Sequence, residues 1–351
     1  MQKEDIKIKE LGESTIEIEL SISIEKLNKY REKAIKDMGS EISIAGFRKG
    51  HIPEDVLVKK IGELPILNET AEMALSDMYP KIIMENSIQA IGQPHITITK
   101  MVINTPVEVK IKIAIMPKFT LPDYKEIAKK VNNEKQEKIE VTEKEIEDTI
   151  TQIRKMNTTP DGNQNVDVPS TKTDETQKIE LAELNDEMVK KLGDFKDVAD
   201  FKIKLKENIK KEKEHKAEEV KKIKIIDTIL EKIKIDLPEI MVNSEIERML
   251  AQTKQDITKM GLQFDKYLEH IKKTEEELRK ELKPEAEKKS KIQLILDKII
   301  QEEKIKPNEE EVKKQVKMLL EQHKEAKEDV VKPYVEMVLS NQEVFKLLER
   351  Q

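Results

Sequence analysis

Hydrophobic periodicity changes once along this chain of 351 residues, and the change limits the folds open to it. Up to Met116 the apolar residues alternate with polar ones in three places: Thr15–Leu20, Ile96–Thr99 and Val107–Ile113. Period two marks strands with one buried and one solvated face. Between them, Ile24–Met38 and Glu69–Glu85 carry apolar side chains at three- and four-residue spacing, as amphipathic helices do. Six of the nine glycines fall in the first 92 residues, a stretch that needs tight turns. The predicted order is strand, helix, loop, helix, strand, strand, a small α+β N-terminal domain over residues 1–116.

Beyond Pro117 the pattern is helical. Residues 117–140 hold Pro117, Pro122 and the charged run Lys125–Lys138, with few apolar side chains, and read as an extended linker. Thr142 with Glu145 three residues later forms a capping box for a helix striped by Ile146, Ile150 and Ile153. Residues 158–177, TTPDGNQNVDVPSTKTDETQ, are polar and rich in turn formers, and read as a flexible loop. Helical patterning then runs to the end, so residues 141–157 and 178–351 are expected to form an elongated, mainly α-helical C-terminal domain with arm-like helices. Pro238, Pro284, Pro307 and Pro333 are expected at breaks or first turns. Three stripes call for burial: Val220, Ile223, Ile226, Leu230 and Ile233; Ile246, Met249, Leu250, Ile257 and Met260; and Ile292, Leu296, Ile299 and Ile300.

Composition removes several functions. The 65 basic and 71 acidic side chains nearly cancel and are mixed along the sequence, which argues against a protein that coats nucleic acid. Without cysteine there are no disulfides, thiolate nucleophiles or thiolate metal sites. The five histidines (His51, His95, His215, His270 and His323) are far apart and show no metal-ligand spacing. No phosphate loop or nucleophile elbow is present, so neither a cofactor nor a catalytic residue is expected. The first ten residues lack a signal-like apolar run, and no later stretch is apolar enough for a bilayer; a cytoplasmic protein without a membrane partner is expected.

The most informative segment is Ile44-Ala45-Gly46-Phe47-Arg48-Lys49-Gly50-His51-Ile52-Pro53, between two predicted helices. Two glycines four apart allow a sharp projecting loop, and an aromatic ring at its tip is followed by two cations. Arg48 and Lys49 suit acidic side chains or RNA phosphates. Spacing alone leaves two readings open: Phe47 packs inward beneath an ordinary charged turn, or the ring is presented to a partner. Met241, Met249, Met260, Met318 and Met337 likewise read either as core filling or as adaptable contacts for unlike apolar partners.

GFRKGHIP closely resembles the ribosome-binding signature of the trigger factor family, a glycine-flanked Phe-Arg-Lys loop followed by a proline. The order of elements up to Pro117 is similar to that family's N-terminal domain. Asp236-Leu237-Pro238-Glu239-Ile240-Met241-Val242-Asn243-Ser244-Glu245 resembles the start of the first arm of its C-terminal domain, and Leu192-Gly193 with the following helix is similar too. The resemblance implies that Phe47, Arg48 and Lys49, in a loop shaped by Gly46, Gly50 and Pro53, contact an exit-site protein of the large ribosomal subunit and nearby ribosomal RNA. It also implies that nascent unfolded polypeptides are bound, without ATP. Off the ribosome, a second copy of the chain is expected as partner in a homodimer. Ala45 departs from the proline often found at its position.

A larger departure concerns the FKBP-type isomerase domain that the family carries after a helix like Val141–Met156. The loop of 158–177 is twenty residues long, and an unstapled domain below about 40 residues rarely folds. A chaperone without prolyl isomerase activity is expected, with a ribosome-independent holdase or a helical scaffold as the alternatives.

Overall fold

The computed structural model describes residues 6–44, 47–48, 51–134, 139–156 and 184–351. The N-terminal portion runs β1 (Lys7–Gly12), β2 (Thr15–Ile22), α1 (Ile24–Glu41), α2 (Glu54–Ile61), α3 (Glu63–Glu85), β3 (Ala90–Lys100) and β4 (Val107–Ile115). The strands form one antiparallel sheet in the order β1-β2-β4-β3. Its register sets Ile16, Ile18, Leu20 and Ile22 opposite Ile113, Ile111, Val109 and Val107, and all eight side chains are buried. α3 and α1 complete this core with Leu67, Ala71, Ala74, Leu75, Met78, Ile82 and Leu27.

On the other face of the sheet the same register makes a charge ladder. Lys110 bridges Glu17 at 3.1 Å and Glu19 at 2.8 Å, and Lys9 reaches Glu19 at 2.9 Å. A fully buried isoleucine contributes about 2 kcal/mol, well above what exposed ion pairs such as Lys9–Glu19 supply; of the ladder's carboxylates only Glu17 is buried. The aliphatic row therefore holds the sheet, while the ladder sets its response to acid.

The chain divides into two compact units: residues 1–122 with 230–306, and 123–229 with 307–351. In the first unit, α8 (Glu239–Lys259), α9 (Phe264–Ile271) and α10 (Glu275–Glu303) follow the sheet portion. α8 and α10 pack through Val242, Ile246, Leu250 and Ala286, and Arg279 ties them by donating to Glu247 at 2.5 and 3.2 Å. Contacts with the sheet portion are local. Ser14 Oγ donates to the Asp236 carbonyl at 2.6 Å, and Lys298 Nζ donates to the Phe119 carbonyl while lying 4.8 Å from that ring's centroid. At Gly92, whose φ is +70°, an added Cβ would stand 2.2 Å from Ile240 Cδ1.

The second unit holds α4 (Tyr124–Asn132), α5 (Glu143–Met156), α6 (Asp186–Leu192), α7 (Val198–Glu231), α11 (Glu309–Gln322) and α12 (Glu328–Glu349). α5, α6 and α7 meet through Ile150, Val189 and Phe201, with Phe195 edge-on to Phe201 at 5.1 Å. α11 and α12 meet through Val312, Val316, Val335 and Leu339. The expected capping box is formed: Thr142 N donates to Glu145 Oε2 at 2.9 Å, and Glu145 N donates back to Thr142 Oγ1 at 3.3 Å.

Several expectations need correction. The stretch read as an extended linker contains α4, which buries Tyr124, Ile127, Ala128 and Val131. It packs on α12, and the Asn132 amide donates to the carbonyls of Leu348, Glu349 and Gln351. Four apolar residues suffice because the partner surface is supplied from more than 200 positions away. Residues 54–61, read as loop, form α2, and β1 precedes the first expected strand. Pro284 and Pro333 lie inside α10 and α12 instead of at breaks, each removing only one backbone donor from a long helix. Val220 and Ile223 are exposed, so the α7 stripe is buried only from Ile225 onward. The loop of 158–177 lies outside the described residues. Among the described residues, no helix is long and apolar enough to cross a membrane.

The charge ladder makes the N-terminal portion sensitive to acid. Hydrogen bonds from Lys110 and then Lys9 hold the Glu19 pKa at about 2, below an ordinary glutamate. A depressed folded pKa contributes stability that is complete above the unfolded value near 4.3 and is lost as pH falls toward about 2. Thermal melts should therefore show the native protein exceeding Glu19→Gln at pH 7, with the gap closing between about pH 4.5 and 2; a gap independent of pH would contradict the ladder's role. A second test concerns Arg31 on α1, which reaches Glu54 at 2.9 Å and Glu63 at 2.5 Å and so braces the starts of α2 and α3; Glu63 above all raises the Arg31 pKa. Arg31→Met should lower urea stability by about 1 kcal/mol, and Arg31→Lys should recover less than half, because one ammonium cannot span both carboxylates. Full recovery by lysine would refute the two-way brace.

Candidate functional site: the loop between the first two helices

The segment joining α1 to α2 is held at its base. Ile42 and Ile44 on the incoming side and Ile52 on the outgoing side pack against Ile35, Leu57 and Ile66. Leu57 and Ile66 are fully buried, so these contacts fix where the segment leaves and rejoins the body. Pro53 caps α2 with φ −60°, and its carbonyl accepts from Val56 and Leu57. The Arg31 brace at Glu54 and Glu63 closes the same base from beneath.

Two backbone hydrogen bonds shape the tip: Phe47 N donates to the Ile44 carbonyl at 3.1 Å, and His51 N donates to the Arg48 carbonyl at 3.0 Å. Phe47 is 40% exposed, and Arg48, His51 and Pro53 are exposed. Of the two readings open from sequence, the structure has Phe47 turned out. Gly46, Lys49 and Gly50 lie outside the described residues. Chemically, the tip offers an exposed ring and, next in sequence, an exposed guanidinium on a fixed base, groups suited to binding.

The five methionines divide. Met241 and Met249 are half-buried on α8, where Met249 packs against Val242, Ile246, Leu250 and Ala286. Met260, 68% exposed, follows α8 beside exposed Leu262; Met318 on α11 is exposed, and Met337 on α12 is half-buried. The first three belong to one unit and the last two to the other. Val220 and Ile223, members of the first apolar stripe, are exposed, as are Val330 and Tyr334, which no expected stripe contained.

Sequence reasoning also missed a cavity of about 450 Å³ lined by Met116, Pro117, Phe119, Leu294, Ile300 and polar neighbours. Burial raises the pKa of Asp297 in its wall, while Gln293 donates to that carboxylate at 2.8 Å. Its walls come from segments about 180 positions apart, which no local pattern links.

Comparison with known proteins accounts for most of the chain. Residues 4–153 match the family described as bacterial trigger factor protein, and residues 197–350 match the family described as its C-terminus. The trigger factor of Carboxydothermus hydrogenoformans is 25% identical, with 93% of this chain and 92% of that protein covered. The trigger factor of Clostridium botulinum is 23% identical with 98% of each covered. A solved structure, described for promiscuous substrate recognition in folding and assembly by the trigger factor chaperone, aligns at TM-score 0.56 and 18% identity over 98% of this chain and 99% of that one. With both ends of the chain matched by one family's two domains, this protein belongs to the bacterial trigger factor family.

Proposed function

We propose that this chain is a chaperone that docks on the large ribosomal subunit at the tunnel exit and shields nascent polypeptides there, without ATP and without prolyl isomerisation. One observation carries the docking: an exposed Phe47–Arg48 tip on a base braced by three isoleucines and Arg31. Phe47 and Arg48, with Lys49, supply the contacts to an exit-site ribosomal protein and ribosomal RNA, and Gly46, Gly50 and Pro53 shape the loop. An anchor near one micromolar needs about 8 kcal/mol, within reach of one desolvated aromatic, two cations and rim contacts.

Client binding rests on many weak apolar contacts, to which exposed Met260, Leu262 and Met318 contribute. Half-buried Met241, Met249 and Met337 contribute partly as packing and partly as repackable surface. The absence of isomerase activity is supported by the matched segments themselves, which leave only residues 154–196 between them.

Co-sedimentation with bacterial ribosomes tests the anchor. The native protein should pellet, and Phe47→Ala/Arg48→Ala/Lys49→Ala should lose about tenfold or more in affinity; equal pelleting would move the anchor elsewhere, and no pelleting of either would leave an off-ribosome holdase or a scaffold. In an aggregation assay with a chemically unfolded test protein, Met260→Ser/Met318→Ser should protect less well at unchanged Tm. A proline-containing peptide should isomerise at its uncatalysed rate in the presence of the protein, and acceleration would overturn that part of the reading.

A further inference from the structure

On α1 the lysines recur at spacings of three, four and three: Lys26, Lys29, Lys33 and Lys36. This periodicity aligns them along one side of the helix, away from buried Leu27, Ala34 and Ile35. Lys29, Lys33 and Lys36 are exposed. Burial lowers the pKa of Lys26, and so do the nearby ammoniums of Lys29 and, on α3, Lys81. Like charges at these spacings repel and weaken a helix.

Elsewhere the chain closes four-residue spacings with ion pairs, as in Glu126–Lys130, Asp200–Lys204, Glu212–Lys216 and Glu285–Lys289. Glu25 and Glu32 stand four residues before Lys29 and Lys36, the same arrangement, and Asp37 follows the row. Yet among the described residues Lys29, Lys33 and Lys36 are not paired with any carboxylate. The cations are left available on the helix that leads directly into the Phe47–Arg48 loop.

We propose that this row is a binding surface for the phosphates of RNA. The proposal rests on the docking reading above and extends it, adding a second contact beside the loop. Lys29, Lys33 and Lys36 succeed one another by about 6 and about 4.5 Å along the axis, over about 10 Å in all. A single-signed, regularly charged strand matches such a row, whereas a protein surface like this one interleaves both signs. Lysine binds phosphate as a hydrated point charge and needs no fixed geometry, so an exposed helix face is sufficient.

The test measures binding to ribosomes by sedimentation, and to protein-free ribosomal RNA by filter retention, across about 50 to 200 mM salt. It compares the native chain with Lys29→Gln/Lys33→Gln/Lys36→Gln. If three phosphate contacts are lost, native affinity for RNA should fall about 20- to 40-fold more over that range than the variant's does. Glutamine is a good helix former and relieves the repulsion, so the variant's Tm should equal or exceed the native value. Equal salt dependence on RNA would overturn the proposal. Weaker ribosome binding with unchanged RNA binding would overturn it too, and would set an acidic protein against α1. If the native chain fails to sediment with ribosomes, the docking reading fails by itself, and the salt dependence on free RNA still decides for or against the lysine row.

Discussion

The N-terminal portion depends on a set of branched aliphatic side chains, with Tyr30 and Tyr79 packed only at the margin of their core. Ile16, Ile18, Leu20 and Ile22 on one central strand face Val107, Val109, Ile111 and Ile113 on the other, and α3 covers them. β-Branched residues are stiff at χ1 and suit a pleated surface, so register and packing are set by the same atoms. A slip of one residue would turn the whole row to solvent and drive the Glu–Lys ladder inward. Because the sheet cannot slip, α1 and α3 have a fixed floor, and the loop between α1 and α2 has a fixed origin.

Scarcity of aromatics gives Phe47 its meaning. The chain has six phenylalanines. Phe201 and Phe195 fill one core, and Phe119 and Phe264 each lie under a lysine ammonium. Leaving Phe47 40% exposed forgoes about 1 kcal/mol of burial in a molecule that has few rings to bury. The surrounding isoleucines form an apolar site nearby; among the described residues the tip is shaped by backbone bonds to the Ile44 and Arg48 carbonyls, and the ring stands 40% exposed.

How legible all this was in the sequence depended on the range of the interaction. The three strands with clear alternation and the helices at Ile24 and Glu69 were read because their partners impose a local period. α3 nevertheless begins six residues earlier, at Glu63, where Pro65 in the first turn reads as a break although Ile66 and Leu67 are already buried. β1 was missed because an edge strand exposed throughout needs no apolar alternation. α2 was missed because eight residues give only two turns of pattern. α4 was hidden by its lysines, whose stems and charges occupy the side away from α12. The candidate loop was the most legible part, since glycine spacing, ring and cations are all contiguous. Exposure of Phe47 was not legible, because it depends on where Leu57 and Ile66 close the base.

The cap that Asn132 places on the carbonyls of Leu348, Glu349 and Gln351 has a consequence for the order of synthesis. α4 is translated early, yet its apolar side and its amide find their partner only after residue 348 has emerged, more than 200 codons later. Ordering so long an intervening segment is an entropic cost that local helix formation does not repay at once. Throughout that interval Tyr124, Ile127 and Val131 remain uncovered by α12. A member of a chaperone family thus carries, between the synthesis of α4 and that of α12, an apolar face that its own second unit has yet to cover.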